Sequence, residues 1–255
     1  MFVENVVMDA VEPAVLGRFW EAVVRGEQLT DEPEGYETRL AVEGGPVLDL
    51  CFQRVPRLPA VPSRLRLDVV GGERQTEVVD RLVALGARRL DDVAGAGGDA
   101  GSVVLADLEG NPFRVTGTSP ADGTGPLAAL RLDCADPDEE RHLWTWVSGW
   151  AEVPASSTSL RHRSGRGPVL ELRPEPGAKG DVKNRVHLDV RLEASDDPDE
   201  VAAGIAARGG RELHLGWGTL PWRHFADASG NEFCLLPAPV EPERRDPSAR
   251  ADGSW

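Results

Sequence analysis

Apolar residues recur along this chain in two rhythms, and the same order of rhythms occurs twice. Asn5 to Met8, Val47 to Phe52, Leu65 to Val70, Val103 to Ala106 and Phe113 to Val115 read as short strands. Between them, Val15, Leu16, Phe19, Trp20 and Val23 keep a 3.6-residue period, as do Val78, Val79, Leu82 and Val83 within Glu73 to Leu85. Both runs predict amphipathic helices. In the second half, strands are expected at Leu130 to Cys134, Val169 to Leu172, Val186 to Leu192, Trp222 to Ala226 and Phe233 to Leu236. Helices are expected after Pro137, with Leu143, Trp144 and Val147 on one face, and over Pro198 to Ala207. Pro13 and Pro137 stand where a helix opens and a missing N–H costs little, and Gly86 and Gly209 stand where a left-handed cap closes one. The pattern predicts an α+β fold.

The halves match residue by residue. Asp107 to Phe113 returns as Asp227 to Phe233, 120 residues on, and Arg64 to Val69 returns as Arg185 to Val190, 121 residues on. Gly45 to Leu50 returns as Gly167 to Leu172 at 122, and Met8, Asp9, Pro13 and Trp20 return as Leu132, Asp133, Pro137 and Trp144 at 124. Four ordered matches with a nearly constant offset indicate a tandem duplication. The first copy is expected over residues 1–117 and the second over 127–238. The Gly-, Ser-, Thr- and Pro-rich stretch 118–126 reads as a linker, and 239–255 as a disordered tail. Each copy is expected to form its own eight-stranded arrangement, superposable on the other.

Composition narrows the partners. The 255 residues carry a net charge of −15, which repels phosphate backbones and anionic lipid, so neither nucleic acid nor membrane is expected. The start has no basic n-region or cleavage site. Cys51, Cys134 and Cys234 are scattered and odd in number, which suits a reducing cytoplasm better than a disulfide framework. A small-molecule ligand is the expected partner, with monomer and homodimer both open.

A strand–helix–three-strand unit used twice per copy and closed by a Gly-Asn turn resembles the βαβββ modules of the vicinal-oxygen-chelate superfamily, which holds glyoxalases, bleomycin-resistance proteins and extradiol dioxygenases. Phe52-Gln53-Arg54-Val55-Pro56 and Val182 to Val190 are similar to fourth- and fifth-strand motifs of its glyoxalase-like domains. The resemblance implies two tandem domains, each of paired modules around a concave mixed sheet. It also implies a divalent metal held by His, Gln or Glu of the first, fifth and eighth strands. Those positions fall on Asn5, Arg66 and Arg114 in the first copy and on Ala129, His187 and Cys234 in the second. Guanidinium groups repel a cation rather than ligate it, so no metal is expected in the first copy. Arg66 and Arg114 are expected to meet Asp49, Asp68 or an anion. In the second copy His187 and Cys234 form only a fallback zinc pair, so no cofactor is expected overall.

The working pocket is therefore expected in the second copy. His187 and Glu171 are its candidate acid–base residues, with Cys234, His224, Trp217 and Trp222 around them, the tryptophans on a Gly-bearing loop suited to stacking on a planar ligand. Asn5, Gln53, Arg66 and Arg114 are the corresponding ligand-binding candidates in the first copy. Loss of the metal set favours a metal-free binder of a small organic molecule, aromatic ones included. A lyase, isomerase or dioxygenase with an atypical site is the alternative, and a protein with vestigial pockets the third.

Overall fold

A computed structural model describes residues 1–90, 101–117, 123–154, 156–216 and 218–239. Residues 118–122 of the expected linker, residues 240–255 of the expected tail, and Trp217 lie outside the described residues.

Four βαβββ modules follow one another. The first runs through β1 (Phe2–Ala10), α1 (Pro13–Val24), β2 (Glu27–Glu32), β3 (Gly35–Ala41) and β4 (Val47–Arg54). The second has β5 (Leu65–Val70), a 3₁₀ turn, α2 (Gln75–Ala84), β6 (Arg88–Arg89), β7 (Val103–Ala106) and β8 (Pro112–Thr116). The third has β9 (Leu127–Cys134), α3 (Pro137–Ser148), β10 (Ala151–Val153), β11 (Ser156–Arg161) and β12 (Val169–Pro174). The fourth has β13 (Val186–Arg191), α4 (Pro198–Ala206), β14 (Arg211–Leu213), β15 (Arg223–Ala226) and β16 (Glu232–Leu236). Gly86 and Gly209 take positive φ, of 108° and 84°, where the sequence places helix ends.

The modules pair into two mixed eight-stranded sheets, but not within a copy. One sheet has the order β14-β15-β16-β13-β1-β4-β3-β2 and the other β10-β11-β12-β9-β5-β8-β7-β6. The first module thus joins the fourth, through antiparallel β1 and β13, and the second joins the third, through β5 and β9. The expectation that residues 2–117 close their own sheet is corrected. The physical reason lies in the repeat: Leu65 to Val69 and Val186 to Val190 are near-copies, so either offers β1 the same apolar edge, and pairing register alone does not choose between them.

Each copy nevertheless holds its two modules together behind the sheets. The Trp20 indole N–H donates to the buried Asp107 carboxylate at 3.0 Å, and Trp144 donates to Asp227 at 3.3 Å. These aspartates also fix the Gly-Asn turn, since Asp107 Oδ1 accepts from the backbone N–H groups of Glu109 and Asn111, and Asp227 Oδ1 from that of Asn231. Gly110 and Gly230 supply the positive φ, 83° at each. Glu109 then accepts from the N–H groups of Val11 and Glu12, holding the entrance to α1. The recurrence of Trp and Asp-x-x-Gly-Asn is explained by this helix-to-hairpin clamp. A second device crosses between the copies. Arg64 donates to Asn231 Oδ1 at 2.7 Å and to the Asp133 carbonyl, and its repeat mate Arg185 donates to the Glu109 carbonyl.

Candidate functional site

Strand alternation gives each sheet one face of side chains pointing into its concavity. By strand register the two concave faces can be compared position by position. Where the β5–β9 sheet carries Arg66, Asp68, Arg114 and Arg131, the β1–β13 sheet carries His187, Asp189, Cys234 and Val7. This exchange makes one face a salt-bridge lattice and the other an open pocket.

On the β5–β9 sheet the arginines meet carboxylates. Arg66 pairs with Asp133 at 2.6 Å, and Arg131 with Asp68 at 2.6 Å and Glu171 at 3.1 Å, while Arg173 holds the other oxygen of Glu171 at 2.9 Å. Arg114 lies opposite Asp68, and its charge acts on that carboxyl. Arg66 thus meets an acid as expected, but Asp133 rather than Asp49 or Asp68; Asp49 is taken by Arg39. Glu171, expected beside His187, sits on the opposite sheet inside this lattice. Arg66, Arg114 and Glu171 therefore do not join the other candidates.

The β1–β13 sheet encloses a cavity of about 810 Å³. Asn5 and Gln53 of the first copy line it together with His187, His224, Cys234 and Trp222 of the second. The expectation of a pocket owned by the second copy alone is thus corrected: β1, β2, β3 and β4 of the first copy all contribute to its wall. Leu213, Leu215, Leu220 and Pro221 add apolar surface. At the floor, His187 Nε2 lies 3.4 Å from Asp189 Oδ1 and 3.7 Å from Cys234 Sγ, and the Asn5 amide donates to Asp189 Oδ2 at 3.0 Å. His187 is 8% exposed and Asp189 7%. His187 Nδ1 and Asp189 Oδ1 are buried without a hydrogen-bond partner. Buried polar atoms left unpaired are costly; the arginine face has them too, at Arg66 Nε and Asp68 Oδ1, but here they belong to residues that line a cavity. Above the floor, the Trp222 indole donates to His224 Nε2 at 3.2 Å, which pins the ring, and burial holds the His224 imidazole below its ordinary titration range.

Sequence reasoning assigned no role to Asp189, although it alternates in phase with His187 on β13. It also passed over Cys51, Lys183 and Arg191, which line the same cavity. The His187-x-Asp189 spacing was the available signal.

A family model described as a glyoxalase-like domain matches residues 5–116 and 129–236. The chain belongs to the glyoxalase-like domain family. Among solved structures, glyoxalase I from Zea mays is similar with a TM-score of 0.63 at 14% identity, covering 92% of this chain and 92% of that one. A "putative dioxygenase" from Bacillus subtilis subsp. subtilis str. 168 gives 0.59 at 16%, covering 94% and 86%. At such identities the likeness concerns the fold. None of the curated proteins compared with this glyoxalase-like chain matches it.

The superfamily resemblance raises the question whether a divalent metal suits this floor. Ligand atoms of His187, Asp189 and Cys234 all lie within 4.8 Å of one another. One nitrogen, one oxygen and one sulfur donor, all buried, fit a borderline cation such as zinc better than magnesium. The fallback pair His187 and Cys234 thus becomes a triple, with Asp189, one strand over from Asn5, bringing the carboxylate that the first-strand position lacks.

Burial, with Asp189 beside it, pushes the Cys234 thiol far above its ordinary value, and burial with Glu37 nearby does the same to Cys51; Cys134 is pushed up to about 12. All three are neutral thiols at pH 8 in the protein as described. Iodoacetamide should therefore label them at least about tenfold more slowly than a free thiol, and in urea all three should react. Rapid labelling of Cys51 or Cys234 in the native protein would contradict this picture.

Proposed function

We propose that the glyoxalase-like protein binds a small organic molecule in the β1–β13 cavity. Its apolar body lies against Trp222, Leu213 and Leu220, and its polar group meets His187, Asp189 and Cys234. The observation that carries this reading is the contrast between two equivalent faces, one filled by arginine–carboxylate pairs and the other left as an 810 Å³ space lined by apolar side chains and a few polar groups. Mostly apolar walls with few convergent polar groups are the usual content of a ligand site.

A second reading is a lyase, isomerase or dioxygenase acting through a metal on the same floor, and the His187–Asp189–Cys234 triple favours it. Such an ion, when bound, polarises a ligand oxygen and stabilises developing negative charge there. Asn5 would then hold the Asp189 carboxylate in place, and His224 would hold Trp222 against the ligand.

Thermal-shift screening of small aromatic and aliphatic compounds against the wild type, His187→Ala and Trp222→Ala tests the first reading. At 100 times its dissociation constant a ligand adds about 2.7 kcal/mol of stability, a readily visible shift. Both variants should lose most of that shift. Retention by both would remove the ligand from this cavity. Zinc content before and after dialysis separates the readings, since tight stoichiometric zinc that His187→Ala abolishes would favour the second.

A further inference from the structure

We propose that the ligand is an organic cation, a molecule with an apolar body and a protonated amine or related group. This rests on the preceding reading that the cavity binds a small molecule, and it names the class. The first observation is the charge balance of the wall. Six carboxylates line it, those of Glu32, Glu34, Glu37, Asp181, Asp189 and Glu232, against two fixed cations, Lys183 and Arg191. Neither cation is available to the carboxylates of the wall. Lys183 is held by Asp9 at 2.6 Å and Arg191 by Glu4 at 2.7 Å, and neither acid lines the cavity. Glu232 is neutralised by Lys179 at 2.8 Å. The other five wall carboxylates form no ion pair with a lysine or arginine among the described residues. A concave, partly apolar wall with unbalanced charge of one sign focuses a potential that draws the opposite charge.

The second observation is independent of that balance and sits at the floor. Asp189 is more than nine-tenths buried and its Oδ2 is satisfied by Asn5, while its Oδ1, with His187 Nε2 3.4 Å away, accepts no hydrogen bond and has no lysine or arginine against it among the described residues. The equivalent position on the other sheet, Asp68, also has an Oδ1 without a hydrogen bond, but Arg131 sits on its Oδ2 and balances the charge, whereas here Val7 takes the arginine's place. The pocket thus has the shape of a site from which a built-in cation has been removed. An ammonium group brings N–H donors and positive charge to Oδ1, and hydrogen bonds to charged groups are the stronger kind. A ligand carboxylate or phosphate would set acceptor against acceptor. Trp222, pinned by His224, adds an aromatic surface of the type that attracts a cation. A bare metal ion answers Oδ1 but leaves the apolar walls and the rim carboxylates Glu32 and Glu34 without a partner, so the observations favour the organic cation.

The test uses the full chain and three probes of similar shape, benzylammonium, benzyl alcohol and benzoate, titrated calorimetrically in chelator-containing buffer up to tens of millimolar. Benzylammonium should bind at least about tenfold more tightly than benzyl alcohol, with benzoate weakest, and its affinity should fall as salt is raised. The double variant Glu32→Gln/Glu34→Gln changes only exposed hairpin residues and should weaken benzylammonium about two- to fivefold without affecting benzyl alcohol. Asp189→Asn should cost the cation about tenfold or more and the alcohol little. Equal or tighter binding of the alcohol or benzoate would overturn the charge assignment while leaving small-molecule binding intact. Absence of binding by all three probes would overturn both. A parallel titration with zinc alone covers the remaining case: zinc binding that Asp189→Asn removes, without any preference among the organic probes, would make the metal the occupant and refute the organic cation.

Discussion

Residues 1–117 produced alone should not behave as a folded monomer. In the whole protein β1 pairs with β13 from Phe2 to Met8, and β5 pairs with β9 from Leu65 to Val69. Cutting the chain between the copies removes both partners at once. Two central strands, with Val3, Val6, Met8, Leu65 and Leu67 buried, become open edges. Unpaired apolar edges drive association or aggregation. The clamp from Trp20 to Asp107 survives the cut but covers neither edge. The expected result is a self-associating or aggregated fragment, one escape being a dimer in which β1 of each molecule meets β5 of the other. Mixing with residues 123–239 should then give a one-to-one complex with the circular dichroism and cooperative melting of the intact chain. Size-exclusion chromatography with light scattering, before and after mixing, checks this. A monomeric, cooperatively melting 1–117 would mean that each copy closes its own sheet, against the observed pairing.

That result bears on how much of the molecule could be read from the chain. The module order, the helices opened by Pro13, Pro137 and Pro198, and the glycine-closed turns are local features written in periodicity and backbone preference. The repeat was legible because the Trp–Asp clamp needs the same residues twice. What stayed hidden was the partner of each central strand, since β5 and β13 carry almost the same sequence. The site suffered directly from that. Position-by-position transfer within a copy set Asn5 beside Arg66 and Ala129 beside His187, and so dispersed the polar residues over two incomplete pockets. Pairing across copies collects Asn5, His187, Asp189 and Cys234 on one face and Arg66, Arg114 and Arg131 on the other. His187, Cys234 and His224, named from their strand positions, and Trp222, named from its Gly-bearing loop, do line one cavity, whereas Glu171, also named from its strand, was carried to the wrong face. Asp189 was visible as a neighbour of His187, but its role depends on β1 lying alongside, which is non-local information.

Replacing Arg131 by methionine should be among the most damaging single changes outside the apolar core. Arg131 is buried between Asp68, at 2.6 Å, and Glu171, at 3.1 Å. Methionine fills similar volume but takes away the hydrogen-bonded one of the two cations acting on Asp68, leaving Arg114. Removing one member of a buried pair typically costs about 3–5 kcal/mol, because the remaining charge is stranded in a poorly solvating interior. Against a total stability of about 5–15 kcal/mol that is a large fraction. Glu171 keeps Arg173, so most of the loss falls on Asp68. Burial already holds the Asp68 carboxyl up at about 6, against the pull of Arg131 and Arg114. Without Arg131 its folded-state value rises further. A raised carboxyl binds its proton more tightly when folded, so stability falls as pH rises from the unfolded value of about 4 toward the folded one, and that penalty is absent below about 4. Arg131→Met should therefore lose more relative to wild type at pH 7 than at pH 4.5. Asp68→Asn in the same background should recover a substantial part of the loss, since an amide carries no charge to strand. Urea unfolding at both pH values, completed as a double-mutant cycle, measures this. A loss under about 1 kcal/mol at pH 7, or strictly additive effects of the two substitutions, would mean that the second concave face is not held by these pairs. The contrast with the open face, where Val7 stands in place of Arg131 and Asp189 has no lysine or arginine against it among the described residues, would then need another cause.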